Sequence, residues 1–452
     1  MQSVIICYIS ANNNALIQWE PFMLIEFTVG NFRSFQEPET FSMVAANLTS
    51  ADPKLDTENV IPVGKDLSLL TSAAIYGRNS SGKSNLAAAL RFMRQFVLSS
   101  SRDSQATDAI PTEPFRLSTE TRDQPSFFEI VFLVEGKRYR YGFEVDTQRV
   151  VSEWLFTVPT IREALLFQRE GNEFQVTSRF KEGRGLQERT RANALFLSVI
   201  AQFNGETGAA VIEWMKQLSI FGADNWRQTY TAYNLIADKP YKDRIIDLLK
   251  RFDLDILDVV VDPNLRARQP NYIGQDLTDE GNRDLYPFLL AHQNSMKTTH
   301  GVYDAQHNKI SVESFDLDAQ ESEGTKRLFA MAGPLVDSLD LGKTLFIDEI
   351  DIKLHPLITR AIISLFNSKE TNPKGAQLIF ATHDANLLDN TLLRRDQIWF
   401  MEKDRYGASH LVSLAEYRIR KEADFEKNYL QGRYGGVPSL GDVSQLFEEA
   451  HA

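Results

Sequence analysis

Apolar and polar positions alternate from Met23 in MLIEFTVG, which predicts a half-buried strand running into the polar turn NFRSF. The same two-residue period returns in FFEIVFLV, KRYRYGFEV and VVSEWLFTV, and Glu135-Gly136 between the first two reads as a tight hairpin turn. Short continuous apolar runs are a different signal. LLTSAAIYG from Leu69, then TLFID, AQLIFATH and DQIWFME further on, predict buried strands. Helical spacing takes over in SNLAAALRFMRQFVL, where Leu86, Leu90, Met93 and Val97 share a face. It returns in ESEGTKRLFAMAGPLVDSL, with Leu328, Met331, Leu335 and Leu339. Helices also fill the block from about Gly205 to Asn294 (AAVIEWMKQL, YKDRIIDLLKRF), after which short strands resume in HGVYDAQHNKISVESFDL. SSSRDSQATDAIPTEP reads as a surface loop. Strands alternating with helices on this scale predict an α/β layered core with a mostly parallel sheet.

Onto this pattern the sequence places one strong chemical motif. GRNSSGKS, Gly77 to Ser84, matches G-x-x-x-x-G-K-[ST], with an apolar strand feeding it and a helix leaving it. In that context the backbone N–H groups through Asn79, Ser80, Ser81, Gly82 and Asn85 cradle phosphate oxygens. Lys83 supplies a positive charge to the β- and γ-phosphates, and Ser84 a hydroxyl to Mg²⁺; the expected ligands are ATP and Mg²⁺. TLFIDEID ends a buried strand in two carboxylates, an expensive arrangement unless a cation or a reaction needs them. Asp348 is placed to hold Mg²⁺ through water, and Glu349 to act as the general base for the attacking water. In LIFATHD, His383 follows the next strand and is assigned to the γ-phosphate rather than to the core. Ser322-Glu323-Gly324-Thr325 opens a helix, and by itself the pattern serves equally as an N-cap or as an anion site.

These pieces resemble the ABC-type ATPase heads of the SMC, RecF and OLD class, on NFRSF, GRNSSGKS, FIDEID followed by LHP, and FATHD. The resemblance implies a head with a mixed sheet, flanking helices and an antiparallel β subdomain, interrupted by a helical insertion. It divides the chain into an N-terminal extension (1–22), a first part of the head (23–204), an insertion or lid (205–294) and a second part of the head (295–452). It also implies that Ser322, Gly324 and Thr325 bind the ATP held by a second subunit. Further roles follow in the same way: Gln202 as a Mg²⁺-sensing glutamine at the end of a strand-like run, Arg33 at the nucleotide, and Asp351 and His355 at a dimer seam. The segment departs from the family form in Glu321 and Glu323, two carboxylates beside a phosphate. They are expected to face away from it, or dimerisation to be regulated. ESEGTKRLF, LFIDEIDIKLHP and KNYLQGRYGGVP are similar, more narrowly, to the RloA-type ATPases and the ATPase subunit of PARIS-type antiphage systems. That likeness implies a homodimer or higher homo-oligomer, a separately encoded effector such as a RloB or TOPRIM-type nuclease, and a phage-encoded trigger. GRYGGVP itself reads only as a turn.

Composition changes this picture at a few points. The 452 residues suffice for one large or two ordinary domains, and no apolar run approaches the roughly 18 residues of a membrane span. The first 22 residues lack a basic leader, and the one cysteine, Cys7, fits a reducing cytoplasm. Net charge of −12 argues against coating DNA by bulk electrostatics. One basic run, SRFKEGRGLQERTR (Arg179, Lys181, Arg184, Arg189, Arg191), keeps open an alternative RecF-like ATPase that binds DNA directly. The 69 residues after His383 lack the clustered acidic motifs of a two-metal site, which speaks against a nuclease in the same chain.

Overall fold

The computed structural model describes residues 22–64, 66–102, 105–158, 162–222, 230–231, 235, 239–261 and 296–437. The N-terminal extension up to Pro21, much of the predicted insertion, and Pro438 of GRYGGVP lie outside them.

The chain opens with β1 (Met23–Gly30) and β2 (Glu39–Ser42), then a small ribbon of β3 (Val60–Val63) and β4 (Leu67–Leu70). Strand β5 (Ser72–Tyr76) feeds GRNSSGKS, and helix α1 (Lys83–Ser99) leaves it. An antiparallel meander follows: β6 (Ser126–Val134), β7 (Lys137–Val145), β8 (Val150–Val158), β9 (Ala164–Glu170) and β10 (Glu173–Val176). Glu135 and Gly136 close its first hairpin at φ 50° and 68°, the two left-handed positions of a type I′ turn. With β1 and β2 these strands form a seven-stranded antiparallel sheet, β10-β9-β8-β7-β6-β1-β2.

Helices α2 (Phe196–Gln202) and α3 (Glu206–Gln217) lead to β11 (Leu218–Phe221), then α4 (Lys239–Arg251) and β12 (Asp258–Val261). The second half contains β13 (Met296–Tyr303), β14 (Lys309–Asp316), helix α5 (Glu323–Leu341) and β15 (Thr344–Ile347). It continues through α6 (Pro356–Phe366), β16 (Gln377–Thr382), β17 (Ile398–Lys403), β18 (Ser409–Ser413) and α7 (Phe425–Leu430). The central sheet runs β11-β15-β16-β5-β17-β18, parallel throughout except for β18 at its edge. The molecule has the expected mixed α/β layering, with a mostly parallel sheet and an antiparallel subdomain.

Both faces of the central sheet are covered, so its strands are continuously apolar. Ala73 and Ile75 point into one cluster with Leu86, Leu90, Met93, Phe128 and Phe132 of α1 and the antiparallel sheet. Ala74 and Tyr76 point into the other, with Leu328 and Met331 of α5 and Ile347. Each fully buried Leu or Met in such a face is worth about 1.5–3 kcal/mol. One side chain joins the two sheets. Gln377, fully buried, accepts from Leu24 N (2.7 Å) and donates to Leu24 O (3.0 Å) and Leu70 O (3.3 Å).

Two expectations are corrected here. The block from Gly205 is not a separate helical lid in its described part. β11 is a strand of the central sheet, α4 packs on α5 through the apolar cluster under that sheet, and β12 joins β13 and β14 in a three-stranded sheet. LFLSVIAQ is helical rather than strand-like, because the buried Glu153 carboxylate accepts from the first helical amides, Phe196 N (2.6 Å) and Leu197 N (3.0 Å). No helix among the described residues is long and apolar enough to cross a membrane.

Candidate functional site

Strand β5 ends at Tyr76, and the chain turns through Gly77–Ser81 before Gly82 starts α1. Two glycines are required by close approach. A Cβ at Gly77 would lie 2.4 Å from Met401 O, and one at Gly82, where φ is 118°, would lie 2.3 Å from Ser409 Oγ. Asn79, Ser80 and Ser84 are exposed, while Ser81 and Lys83 are buried. Lys83 Nζ donates to Gly77 O (2.7 Å) and Arg78 O (3.3 Å), closing the loop around its own ammonium.

The loop is held from outside by residues the motif does not include. Ser409 Oγ donates to Ser81 O (2.6 Å) and lies 2.8 Å from Ser34 Oγ, and Asn85 Nδ2 donates to Ser34 Oγ (2.7 Å). NFRSF therefore reaches the phosphate loop through Ser34. Arg33 instead pairs with Glu113 (2.8 Å) beside the ring of Phe32.

The acidic turn lies near the loop, since the charges of Asp348, Glu349 and Asp351 act on Lys83. Asp348 is buried, its N–H donates to Phe221 O on the neighbouring strand (2.8 Å), and Oδ1 has no hydrogen-bond partner among the described residues. A buried carboxylate oxygen without a partner beside a phosphate loop fits a divalent cation, held with Ser84. Glu349 follows in the left-handed region (φ 55°), a conformation costing about 1–2 kcal/mol in a residue with a side chain. It is held there by Arg327 of α5, whose Nη2 donates to Glu349 O (2.9 Å). Partial burial, Asp348 and Asp351 push the Glu349 carboxyl upward, against the pull of Lys83 and Arg327. That is the direction a proton acceptor needs. Desolvation and then the Lys83 charge lower the pKa of His383, which leaves its ring neutral at pH 7.

Burial lowers the Lys83 pKa to about 8, with Asp348, Glu349 and Asp351 opposing it. Its charged fraction therefore falls as pH rises through 8, and a phosphate anion binds the charged form. Nucleotide affinity is expected to be flat below this value and to weaken by up to about tenfold per pH unit above it. Titrations at several pH values check this, and Lys83→Arg should flatten the alkaline limb.

At the start of α5, Ser322 Oγ accepts from Thr325 N (3.1 Å) and bonds Thr325 Oγ1 (2.8 Å), so the N-cap is made. Both anomalous carboxylates are turned to cations or donors. Glu321 pairs with His300 (2.7 Å) and bonds Thr298, while Glu323 pairs with Lys353 (2.8 Å) and Lys326 (3.0 Å). A Cβ at Gly324 would approach Lys353 O to 3.0 Å, so the segment sits directly on the loop after Glu349. Asp351 is half-buried and His355 exposed, its Nδ1 accepting from Leu357 N at the start of α6.

Gln202 is not brought to this site. Ser198, one turn earlier on α2, donates to Val97 O (2.6 Å) at the far end of α1, about 21 Å from Lys83 at 1.5 Å per residue. The Mg²⁺ role implied for it came with a strand the structure does not contain. The basic run is partly structural as well: Arg191 donates to Ser100 O (3.0 Å), and Arg189 lies over the Phe203 ring. Arg179, Lys181 and Arg184 are exposed.

A family model described as "AAA domain, putative AbiEii toxin, Type IV TA system" matches residues 72–389, from the strand before the phosphate loop to beyond His383. The chain belongs to this AAA-domain family. It is an ATPase of the AAA class, in which nucleotide and Mg²⁺ use is the rule. Similar solved structures include the SMC head domain from Thermotoga maritima (13% identity, TM-score 0.37, covering 86% of this chain and 98% of that one). An SMC head bound to the C-terminal winged-helix domain of ScpA gives 14% and 0.38, covering 86% and 97%. The Pyrococcus furiosus SMC head with an extended coiled coil and the ScpA C-terminal domain gives 13% and 0.38, covering 87% and 96%. No curated protein matches this AAA-domain ATPase.

Proposed function

We propose that this ATPase is a hydrolytic switch that closes as a dimer around ATP and controls a separately encoded effector in bacterial antiphage defence. What supports the reading is that Lys83, Asp348, Glu349 and His383, from three separate segments, lie near enough for their charges to act on one another. The charges of the two carboxylates act on Lys83, and that of Lys83 on His383.

Mechanistically, the loop amides and Lys83 bind and orient the phosphates, while Ser84 and Asp348 would hold Mg²⁺, which would supply charge neutralisation there. Glu349 accepts the proton of the attacking water, its raised pKa bringing it nearer neutrality. Lys83 and neutral His383 donate hydrogen bonds to charge developing on the γ-phosphoryl oxygens. Ser322, the amide of Gly324 and the start of α5 face the nucleotide of a second copy, with Glu321 and Glu323 already paired elsewhere. The RloA-like and PARIS-like motifs favour a separately encoded nuclease-type effector over direct DNA binding, and the toxin–antitoxin description of the family fits a two-component system.

Ser322 separates capping from nucleotide contact. Ser322→Ala is expected to cost about 1 kcal/mol of stability, and Ser322→Asp, an equally good cap, about none. The aspartate adds a charge against the partner's phosphates, so it should abolish ATP-dependent doubling of mass in light scattering while leaving monomer stability intact. Doubling that persists in Ser322→Asp would remove the segment from the interface. Wild-type turnover without any change in mass would refute the shared site.

A further inference from the structure

The turn GRYGGV has no part in the mechanism above, yet it is built against the start of the phosphate loop. Gly432, Gly435 and Gly436 all lie at φ between 70° and 74°, which side chains rarely adopt. The Glu402 carboxylate at the end of β17 accepts from Gly436 N (2.6 Å), and a Cβ at Gly435 would come within 1.5 Å of the same oxygen. A Cβ at Gly436 would lie 3.5 Å from Gly77 Cα. Gly77 is thus enclosed by Met401 O on β17 and by Gly436.

The turn is a fixed part of the core. Tyr429 donates to Gly436 O (3.1 Å) and Tyr417 to Tyr434 O (3.0 Å). The rings of Tyr429 and Tyr434 stack on Phe400, and Tyr429 meets Tyr76, the residue before Gly77, edge-on at 5.7 Å. Arg78, the next loop residue, donates to Lys403 O (3.1 Å). Any shift of Gly77 also moves the carbonyl on which Lys83 Nζ rests.

We propose that the Gly432–Val437 turn, seated on Glu402, is a positioning element of the nucleotide site. It fixes Gly77 and thereby the path from which the phosphate-binding amides and Lys83 project. This rests on the reading of GRNSSGKS as a nucleotide site.

The test uses the full chain and two readouts: affinity for a fluorescent ATP analogue, and amide hydrogen exchange of residues 77–83 without nucleotide. Glu402→Ala is expected to raise Kd about tenfold and to speed loop exchange, whereas Glu402→Gln, whose amide oxygen still accepts from Gly436 N, stays within about twofold. A merely structural contact would lower the melting temperature and leave both readouts at wild-type values; that result overturns the proposal. If Glu402→Ala does not fold, Gly436→Ala is measured the same way: a loosened loop supports the proposal and wild-type values overturn it. If the wild type binds no analogue, the nucleotide reading fails instead, and loop exchange still decides whether the turn holds Gly77.

Discussion

Glutamine in place of Glu349 is expected to lower ATP turnover by about 10²–10⁴-fold while nucleotide affinity stays within about twofold. The amide keeps the size of the carboxyl but accepts no proton. It also removes one of three negative charges crowded at the turn, where Asp348 and Asp351 already disfavour ionisation of Glu349. The variant should therefore be no less stable than the wild type, and with hydrolysis blocked it should accumulate as the ATP-bound dimer. Steady-state phosphate release, analogue titration and light scattering on the same preparation test all three statements. Turnover within about tenfold of wild type would remove Glu349 from the chemistry, since a general base contributes at least 10².

The second large effect is expected from Arg327→Ala. This guanidinium is buried, its pKa lowered to about 10 by desolvation, and still a cation at pH 7. It crosses from α5 to the Glu349 carbonyl, and so joins the helix that Ser322 caps to the residue proposed above to activate water. Its loss frees a strained left-handed turn and removes a charge-assisted hydrogen bond worth about 1.5–3 kcal/mol. Turnover is expected to fall about 10–100-fold through misplacement of Glu349, with analogue affinity retained. Arg327→Lys, which keeps the charge but not the reach and planarity, should recover stability better than turnover. If turnover falls only in proportion to the unfolded fraction, Arg327 is a packing residue and the link from α5 to Glu349 has no catalytic consequence.

What could be read from the sequence was what lies contiguous in it. GRNSSGKS and FIDEID carry their chemistry within a few residues of a strand end, and the strand predicts where the side chains go. The supports were hidden because they act through space. Ser34 and Ser409 are 375 residues apart, and neither belongs to the phosphate-loop motif. Arg327 falls in the helical pattern as one more polar position, and nothing in its spacing indicates that it faces a carbonyl 22 residues away. The misreading of Gln202 has a local cause. LFLSVIAQ is mostly apolar, and a run of that length fits strand or helix equally. Glu153, on a strand more than forty residues earlier, decides the matter by capping the helix. The carboxylates of Glu321 and Glu323 were anomalous only while their partners His300 and Lys353 were out of view.

The outside supports of the phosphate loop also set an order of events during synthesis. Strand β5 and the loop emerge early, but Ser409, which bonds the Ser81 carbonyl, follows 328 residues later. At about 5–20 residues per second that interval lasts roughly 20–60 s. For all of it the nascent chain carries its phosphate loop without the hydroxyl that braces it. The brace on the phosphate loop is therefore made late in synthesis, after the central strands up to β17 have emerged.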